Sequence, residues 1–304
     1  MLGMSLNRPP MTVLDYETGI RHKGYSMLGF KIKPYVIACI PAYNEEKRIA
    51  RVILLAQKHV NKVIVCDDGS TDLTGKIARR LGAETIVHKR NLGYGASLRS
   101  LFNRAREMDA DVMVTLDADG QHNPEDIPKL VKPILDGEAD IVIGSRFLDS
   151  KSENNVPGYR RNGIKLITNV TKAVSFNHIT DAQSGYRAYG KKALSLIEPA
   201  DYGMGASAEI LLKAKEQSLS TIEVPVVMKY DEDSNSHDPI LHGIGVILST
   251  VKYLSIRRPL FFYGLPGSLA ITIAMAFWVW VLQVFTLTKE LPIGVTLVAV
   301  FTTV

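Results

Sequence analysis

The feature that most constrains this chain is a run of 30 residues without a charged side chain, Pro259 to Thr288. Of the 36 basic and 31 acidic residues, only Lys289 and Glu290 follow Arg258. The centre of the run, Gly264 to Phe285, holds about 20 apolar residues, enough for a helix to cross a hydrocarbon core of roughly 30 Å. A buried core helix is the alternative, but the length and the missing charges favour a membrane span.

A second apolar run, Leu291 to Val304, follows the polar turn at residues 288–290. It is too short to span a bilayer alone, so it is either the start of a second transmembrane helix or a segment that lies shallowly in the membrane. We expect a transmembrane hairpin over residues 261–304, with its second helix incomplete.

The segment before the span, residues 240–260, has apolar residues at helical spacing and a positive end at Arg257 and Arg258. This pattern predicts an interfacial amphipathic helix, with an ordinary surface helix of the preceding domain as the alternative. The two arginines also agree with the positive-inside rule. Because residues 1–33 contain no apolar core of a secretory signal, we expect the body of the protein on the cytoplasmic side of the cell membrane.

Composition excludes two other classes of protein. With 46% hydrophobic and 22% charged residues, the chain is too apolar to be disordered. The net charge of +5 suits a membrane surface, and no basic block interleaved with aromatic residues marks a nucleic-acid partner. The cysteines, Cys39 and Cys66, each lie within an apolar run and are predicted to be buried free thiols.

Residues 34–239 alternate between short apolar runs and helical patterns. The predicted strands are Tyr35–Ile40, Lys62–Cys66, Glu84–Val87, Asp111–Leu116 and Asp140–Gly144. Strand and helix in alternation predict an α/β domain with a mostly parallel sheet flanked by helices. The segments Lys151–Arg161 and Met228–Pro239 are polar and are expected to be loops.

Polar segments follow three of these strands: Pro41–Glu46, Asp67–Asp72 and Asp117–His122. Ligands of parallel α/β sheets bind beyond the carboxyl ends of the strands, so the three segments predict a site at one edge. Asp67 and Asp68 either form a simple Asx turn or bind a base or ribose. Arg90–Gly95 offers backbone N–H groups and a helix start to a diphosphate, although it is not a P-loop.

Asp117 and Asp119 are the strongest chemical signal at this edge. Residues i and i+2 of an extended segment point the same way, and two carboxylates can hold Mg²⁺ or Mn²⁺ while other positions stay open for phosphate oxygens. Gln121 can add a neutral oxygen. A solvated turn is the alternative for an isolated Asp-x-Asp, but the position at a strand end favours a metal site.

Six motifs now stand in order along the chain. They are Ile40-Pro41-Ala42-Tyr43-Asn44-Glu45-Glu46, Asp67-Asp68-Gly69-Ser70-Thr71-Asp72, Asn91-x-Gly93-x-Gly95, Asp117-Ala118-Asp119-Gly120-Gln121-His122, Gly144-Ser145-Arg146 and Asp181-x-x-Ser184-Gly185-Tyr186-Arg187. Together they resemble the family 2 glycosyltransferases of the GT-A fold, and among these the dolichyl-phosphate mannose synthases and related polyprenyl-phosphate sugar transferases. The resemblance covers about residues 34–239.

The resemblance implies roles for individual residues. It implies that the nucleotide sugar is bound by Pro41, Ala42, Tyr43, Glu45, Asp67, Asp68, Asn91 and Asp117. It further implies a divalent cation, Mg²⁺ or Mn²⁺, held by Asp119 and Gln121 with Asp117 beside them. Asp119 and Arg146 are the implied catalytic residues.

For the acceptor phosphate the resemblance implies Arg146, Arg160, Arg161 and Arg187, with Glu209 nearby. Ordinary solvated arginines are the alternative. The family also has a basic residue and a later Ser-Lys after its last strand. Lys229 matches the first loosely, whereas Ser234–His237 lacks the lysine.

The activity implied is a metal-dependent, inverting transfer of a sugar from GDP-mannose or a UDP-hexose to a dolichyl or polyprenyl phosphate, as used in protein glycosylation. A phosphate monoester is mostly dianionic at pH 7, so it needs positioning and arginine contacts more than a general base. A lipid hydroxyl or polysaccharide acceptor is one alternative, and a membrane-anchored nucleotide-sugar-binding protein without turnover is another.

Overall fold

The computed structural model describes residues 33–149, 161, 163–165, 168–169, 179–228, 255–256 and 259–303. The described residues up to Met228 belong to one compact unit and those from Ser255 onward to a second. Four expectations from the sequence lie largely or wholly outside the described residues: the N-terminal extension, both predicted loops and the amphipathic helix before the span.

The first unit contains one seven-stranded sheet. Its strands are β1 Val36–Ala42, β2 Lys62–Asp67, β3 Glu84–Val87, β4 Val112–Thr115, β5 Ile141–Ser145, β6 Arg187–Gly190 and β7 Thr221–Pro225. They lie in the order β3-β2-β1-β4-β6-β5-β7. All neighbours pair parallel except β6, which is antiparallel to both β4 and β5. The mostly parallel sheet is confirmed, but the insertion of β6 between β4 and β5 was not predicted.

The antiparallel strand matters for the site because it enters the sheet at the edge where the parallel strands end. Arg187, the first residue of β6, pairs with Thr115 of β4 and Ile143 of β5. The segment before it, residues 181–186, therefore lies between the carboxyl ends of β4 and β5. The hydroxyl of Thr115 donates to the Gly185 carbonyl at 2.7 Å and fixes this segment to β4.

Among the described residues of the first unit, six helices with defined bounds accompany the sheet. They are α1 Ile49–Ala56, α2 Thr74–Arg80, α3 Tyr94–Glu107, α4 Ile127–Leu135, α5 Lys191–Leu196 and α6 Ala206–Glu216, and a 3₁₀ turn, Pro124–Asp126, precedes α4.

Glu45 and Glu46 precede α1, although acidic residues just before an apolar helical pattern favour a place in the first turn of the helix. Asn44 adopts a left-handed conformation with φ 55°, and the Glu45 N–H donates to the hydroxyl of Thr74. These residues therefore form a turn bonded to the neighbouring loop, and α1 starts at Ile49.

The sheet is apolar on both faces, as expected for parallel strands covered by helices. Alternate residues of β1 show this: Ala38 and Ile40 pack with α1 and α4, whereas Ile37 and Cys39 pack with α3 and α6. The two layers bury the strands and leave their carboxyl ends as the place where polar side chains collect.

The second unit is a pair of apolar helices. A π-helical turn, Leu260–Gly264, runs into α7 Leu265–Thr288, and α8 Ile293–Thr303 packs against α7. The continuous helix Leu260–Thr288 has a mean hydropathy of 2.0, with only 11% of its most apolar window buried. By length and composition it is long enough to cross a membrane, and it is the one such helix among the described residues. Its exposed apolar surface argues against a soluble core helix.

Both thiols are buried in the core, and this leads to a direct test. Cys39 and Cys66 are 0% exposed; burial raises the pKa of Cys66 to about 12 and that of Cys39 further. Since the thiolate is the reactive form, we expect no reaction with a thiol-specific disulfide reagent at pH 8 in the native protein, and two equivalents after denaturation. Rapid stoichiometric labelling of the native protein would contradict this packing.

Candidate active site

The loops after β1 and β2 are locked together at the carboxyl edge. The Asn44 N–H donates to the hydroxyl of Ser70 at 3.0 Å, and the side-chain oxygen of Asn44 accepts the Thr71 N–H at 2.9 Å. Pro41 and Ala42 are buried in β1, whereas the Tyr43 side chain is 43% exposed. Among Pro41, Ala42 and Tyr43, which were predicted to contact the nucleotide, Tyr43 is thus the residue exposed to solvent.

Asp67 forms the Asx turn that the sequence left open as an alternative. Its Oδ1 accepts the Ser70 N–H at 3.0 Å, and its Oδ2 lies against the backbone of Gly75 at the start of α2. Asp67 is 6% exposed. Its carboxylate therefore shapes the loop rather than facing solvent.

Asp68 also differs from its predicted nucleotide contact. Its carboxylate accepts the backbone N–H groups of Leu92 at 3.0 Å and Gly93 at 2.8 Å, and it bonds His88 Nδ1 at 2.6 Å. The other ring nitrogen of His88 lies 2.9 Å from the hydroxyl of Ser100 on α3. Asp68 is 3% exposed, so the structure places it beneath the loop after β3 as a clamp.

Gly93 shows how tightly that loop is held. It has φ 101°, a conformation that side chains rarely adopt, and a Cβ there would collide with the carbonyl oxygen of Tyr202. The neighbouring Gly95 N–H donates to the same carbonyl at 3.0 Å. The loop is therefore fixed from one side by Asp68 and from the other by residues 201–203, and the exposed Asn91 lies within it.

Three carboxylates at the edge keep raised pKa values. Partial burial raises the pKa of Asp117 to about 6, against the opposing charges of Arg146 and Arg187. Burial and the charge of Asp117 raise the pKa of Asp119, and burial and the charge of Asp119 raise that of Glu45. These groups destabilise one another's charged forms, which a cation at the same place would reverse.

His122 orders the loop that carries Asp117 and Asp119. Its Nδ1 accepts the Asp117 N–H at 3.0 Å, and burial lowers the pKa of His122 to about 4, so the ring is neutral. The 3.6 Å approach of that nitrogen to Asp117 Oδ2 is therefore not an ion pair. The ring stacks on Tyr186 at 4.9 Å between centroids, and Tyr186 donates its hydroxyl to the Asn123 carbonyl.

Gly185 brings the segment before β6 into contact with the same loop. A Cβ at this position would lie 2.9 Å from the hydroxyl of Tyr94 and 3.0 Å from Asp117 Oδ1. Burial, followed by the charge of Asp117, raises the pKa of Tyr94 well above its usual value. Tyr94 is thus a neutral hydroxyl beside Asp117, and no role was predicted for it from the sequence.

Arg146 directly follows β5 and forms a two-pronged ion pair. Its Nε lies 2.6 Å from Asp181 Oδ2 and its Nη2 lies 2.7 Å from Asp181 Oδ1. Arg146 is 9% exposed and Asp181 is fully buried. From the sequence, Asp181 could be recognised only as the first residue of a motif. Its pairing with Arg146 could not be predicted, because the two residues are 35 positions apart and no local pattern links them.

Arg187 differs from its prediction as an acceptor-phosphate contact. It is 1% exposed, and its guanidinium donates to the backbone carbonyls of Ala182, Ser184 and Ser207. These bonds hold the chain before β6 against the start of α6. The structure therefore places Arg187 in the interior as a brace for the site.

Glu209 is equally enclosed. Its carboxylate accepts the N–H groups of Ala200 and Asp201 and pairs with Lys213 at 2.8 Å, and it is 0% exposed. It fixes the loop that contacts Gly93.

Two arginines were predicted near the acceptor phosphate in addition to Arg146 and Arg187. Arg161 is half-buried and helical, and it belongs to the first unit. Arg160, Lys229 and Ser234–His237 lie outside the described residues.

The oxygen ligands of the loop after β4 fit a divalent cation whose coordination shell is completed by water and by the phosphate oxygens of a substrate. Within the described ranges no three His, Cys, Asp or Glu side chains converge as a protein-only cage. Mg²⁺ commonly uses one or two carboxylates and fills its shell with water and phosphate oxygens. Asp117 and Asp119 supply two acceptors with raised pKa values, and the half-buried Gln121 follows on the same loop, where its N–H donates to Asp119.

Comparisons with known proteins agree with this architecture. The sequence profile of Glycosyl transferase family 2 matches residues 37–197. The UDP-N-acetylglucosamine–dolichyl-phosphate N-acetylglucosaminyltransferase of Methanococcus voltae is 35% identical over 64% of this chain and 86% of its own length. The dolichyl-phosphate hexose transferase of Haloferax volcanii is 30% identical over 69% of this chain and 90% of its own.

A solved structure shares the fold. Glucosyl-3-phosphoglycerate synthase of Mycobacterium tuberculosis, crystallised with Mn²⁺, UDP and phosphoglyceric acid, superposes with a TM-score of 0.59 at 21% identity and covers 74% of this chain and 78% of that one. The fold and the edge-located site together define a glycosyltransferase of the GT-A type. The matched profile spans more than half of the sequence, and the chain belongs to glycosyl transferase family 2.

The role of Asp68 as a loop clamp can be tested by Asp68→Ala. The change leaves the N–H groups of Leu92 and Gly93 without their acceptor, and we expect it to lower the free energy of unfolding by about 2 kcal/mol. Asp136→Ala removes a half-exposed carboxylate that pairs with Lys132, and as the matched control it should change stability by less than about 0.5 kcal/mol. Equal effects in denaturant titrations would show that Asp68 does not clamp the loop.

Proposed function

We propose that this glycosyltransferase moves a sugar from a nucleoside-diphosphate sugar to a dolichyl or polyprenyl phosphate at the cytoplasmic face of a membrane. The observation that carries the proposal is the juxtaposition of Asp117 and Asp119, at the end of β4, with Arg146, at the end of β5. Two relatives are named for transfer to dolichyl phosphate, and the chain covers 86% and 90% of their lengths.

The proposed donor site is formed by the loops after β1 to β4. Tyr43, Glu45, Asn91 and Asp117 are the partly or fully exposed members of the predicted nucleotide set. Asp119 and Gln121, with Asp117 beside them, would hold a divalent cation, which when bound neutralises charge on the diphosphate leaving group. The clamped loop at residues 91–95 keeps its backbone in one conformation, so little order has to be gained when a diphosphate binds.

The proposed acceptor site lies on the Arg146 side. The dianionic phosphate of the acceptor is already nucleophilic at pH 7, so no side chain has to remove a proton from it. What the protein supplies is orientation: a guanidinium forms directed, charge-assisted bonds to phosphate oxygens, and holding nucleophile and sugar at contact distance removes much of the entropic part of the barrier. Arg160 and Arg161 remain proposed members of this site.

The apolar tail supports a lipid-linked acceptor. A polyprenyl phosphate keeps its chain in the bilayer and its phosphate at the surface, so its transferase has to work at that surface. The helix Leu260–Thr288 fits a membrane span, and the two arginines before it favour a cytoplasmic position for the preceding domain. We accordingly propose that residues 34–239 form the catalytic domain, residues 240–260 a juxtamembrane helix and residues 261–304 a transmembrane hairpin.

A donor screen tests the reaction. Membranes containing the protein receive labelled GDP-mannose, UDP-glucose or UDP-N-acetylglucosamine with dolichyl phosphate and Mg²⁺ or Mn²⁺, and label is counted in the organic phase. We expect lipid label from one donor, none without dolichyl phosphate or with excess chelator, and a loss of at least about 100-fold in Asp119→Asn.

Asp136→Asn is the matched control for that screen, because Asp136 is a half-exposed surface carboxylate, and it should keep wild-type activity. A product that is labile to mild acid indicates a glycosyl phosphate, whereas a stable product indicates a hydroxyl acceptor. Absence of lipid label from every donor would overturn the proposed acceptor.

Membrane orientation can be tested with one introduced cysteine, because the native thiols are buried. The Lys132 side chain on α4 is 75% exposed, so Lys132→Cys places a reactive thiol on the surface of the first unit. We expect a membrane-impermeant maleimide to label this variant in inverted vesicles and not in intact cells. The parent protein, treated identically, gives the background. Labelling in intact cells would place the domain on the outer face.

A further inference from the structure

Among the acidic groups that the proposed reaction does not use, Asp181 is paired directly with Arg146, the arginine proposed to bind the acceptor phosphate. Asp181 is fully buried, lies at the carboxyl edge of the sheet and binds only groups of the protein. We propose that Asp181 is a positioning residue that holds the Arg146 guanidinium in the orientation required to bind the acceptor phosphate. The inference rests on the proposed function and names the group on which its acceptor site depends.

The geometry of the pair favours orientation over simple charge balance. The two carboxylate oxygens of Asp181 meet Nε and Nη2 of Arg146 at 2.6 and 2.7 Å, and the Arg146 N–H approaches Oδ2 at 3.3 Å. Two parallel bonds fix the plane of a guanidinium, which one contact cannot do. An arginine side chain has many rotamers and loses conformational entropy when it binds phosphate. Because Asp181 already fixes the guanidinium plane, less entropy is lost at that step.

Asp181 is itself held by the strand on the far side of β5. Glu223, on β7, accepts the Asp181 N–H at 2.9 Å and both the N–H and the hydroxyl of Thr180 at 2.8 Å. The hydroxyls of Thr180 and Ser145 lie 2.7 Å apart, which joins the segment to the last residue of β5. A chain of bonds therefore runs from β7 through Asp181 to Arg146.

The position of the pair connects it to the site. Asp181 begins the segment whose Gly185 lies against Asp117, and Arg146 is close enough for its charge to lower the pKa of Asp117. Because Asp181 compensates its charge, Arg146 adds directed hydrogen bonds at this edge with little net positive charge. Such a residue is suited to orienting one phosphate rather than to attracting anions in general.

The test is the steady-state kinetics of Asp181→Asn in the full-length protein, with donor and lipid phosphate varied separately. Asparagine keeps the size of the side chain and can accept only one of the two guanidinium bonds. We expect the KM for lipid phosphate to rise about tenfold, with the KM for the donor unchanged within twofold. A purely structural role would instead lower the amount of active enzyme and leave both KM values unchanged.

The matched control is Asp140→Asn, a change at the end of β5 opposite to Arg146. Asp140 immediately precedes β5, pairs with Lys192 at 3.1 Å and accepts the Ser220 N–H at 2.8 Å, so it is also a carboxylate bound to a cation and a backbone N–H. We expect both KM values of this variant to match those of the wild type. Glu223→Gln, which loosens Asp181 one step away, should raise the KM for lipid phosphate in the same direction, and it serves if Asp181→Asn does not fold.

A double variant separates action through Arg146 from independent effects. In an Arg146→Ala background, Asp181→Asn should cause no further loss of kcat/KM for lipid phosphate, and it should raise the thermal midpoint because it neutralises a buried carboxylate left without its partner. Losses that multiply, or an unchanged KM for lipid phosphate in Asp181→Asn, would overturn the positioning role while the proposed function stands. A wild-type protein that never labels lipid phosphate would overturn both.

Discussion

The edge of the sheet depends on one constraint: the backbone N–H groups of its loops need acceptors, and carboxylates supply them. Asp68 accepts a backbone N–H of the loop after β3, and Glu223 accepts one of the segment before β6. Glu209 accepts a backbone N–H of the loop before α6. Asp68 and Glu223 thereby join segments that are 25 and 42 residues apart in the sequence, and Glu209 joins a nearer pair. Removal of such an acceptor leaves a poorly solvated donor, which costs more than the hydrogen bond contributes when it forms. Asp68, Glu209 and Glu223 therefore stabilise the structure of the edge.

This constraint also separates the acids that are available for chemistry. Burial raises the pKa values of Glu45, Asp117 and Asp119, and a neighbouring carboxylate adds to the rise at Glu45 and at Asp119. The loop that carries the two aspartates takes its order from elsewhere, through the neutral ring of His122. The carboxylates of Asp117 and Asp119 are thus held in place by groups that leave their charge largely uncompensated, as a cation site requires.

The sequence predicted the layers and the edge but not the partners. Alternating strands and helices determine where strands end, so Asp67, Asp117 and Arg146 could be placed at one edge from their order alone. Whether an acid faces solvent or a backbone N–H depends on contacts between distant residues, such as Asp68 with Gly93, 25 residues apart, and Asp181 with Glu223, 42 residues apart. The insertion of β6 and the burial of Arg187 have the same origin. No local pattern encodes them.

The proposed reaction brings two phosphate-bearing substrates to an edge that carries Asp117 and Asp119 and an arginine, Arg146, that is already paired with Asp181. On the β4 side, Asp117 and Asp119 would repel the proposed diphosphate unless a divalent cation lay between them, so the proposed donor site would depend on that cation. On the β5 side, Asp181 compensates the charge of Arg146, so in the proposed arrangement a free nucleotide would gain little binding energy there and a membrane-held lipid phosphate would gain more. Under the proposed roles of Asp181 and Arg146, the same buried carboxylate would help to keep the donor and acceptor phosphates in separate places, as direct displacement of a diphosphate by a phosphate requires.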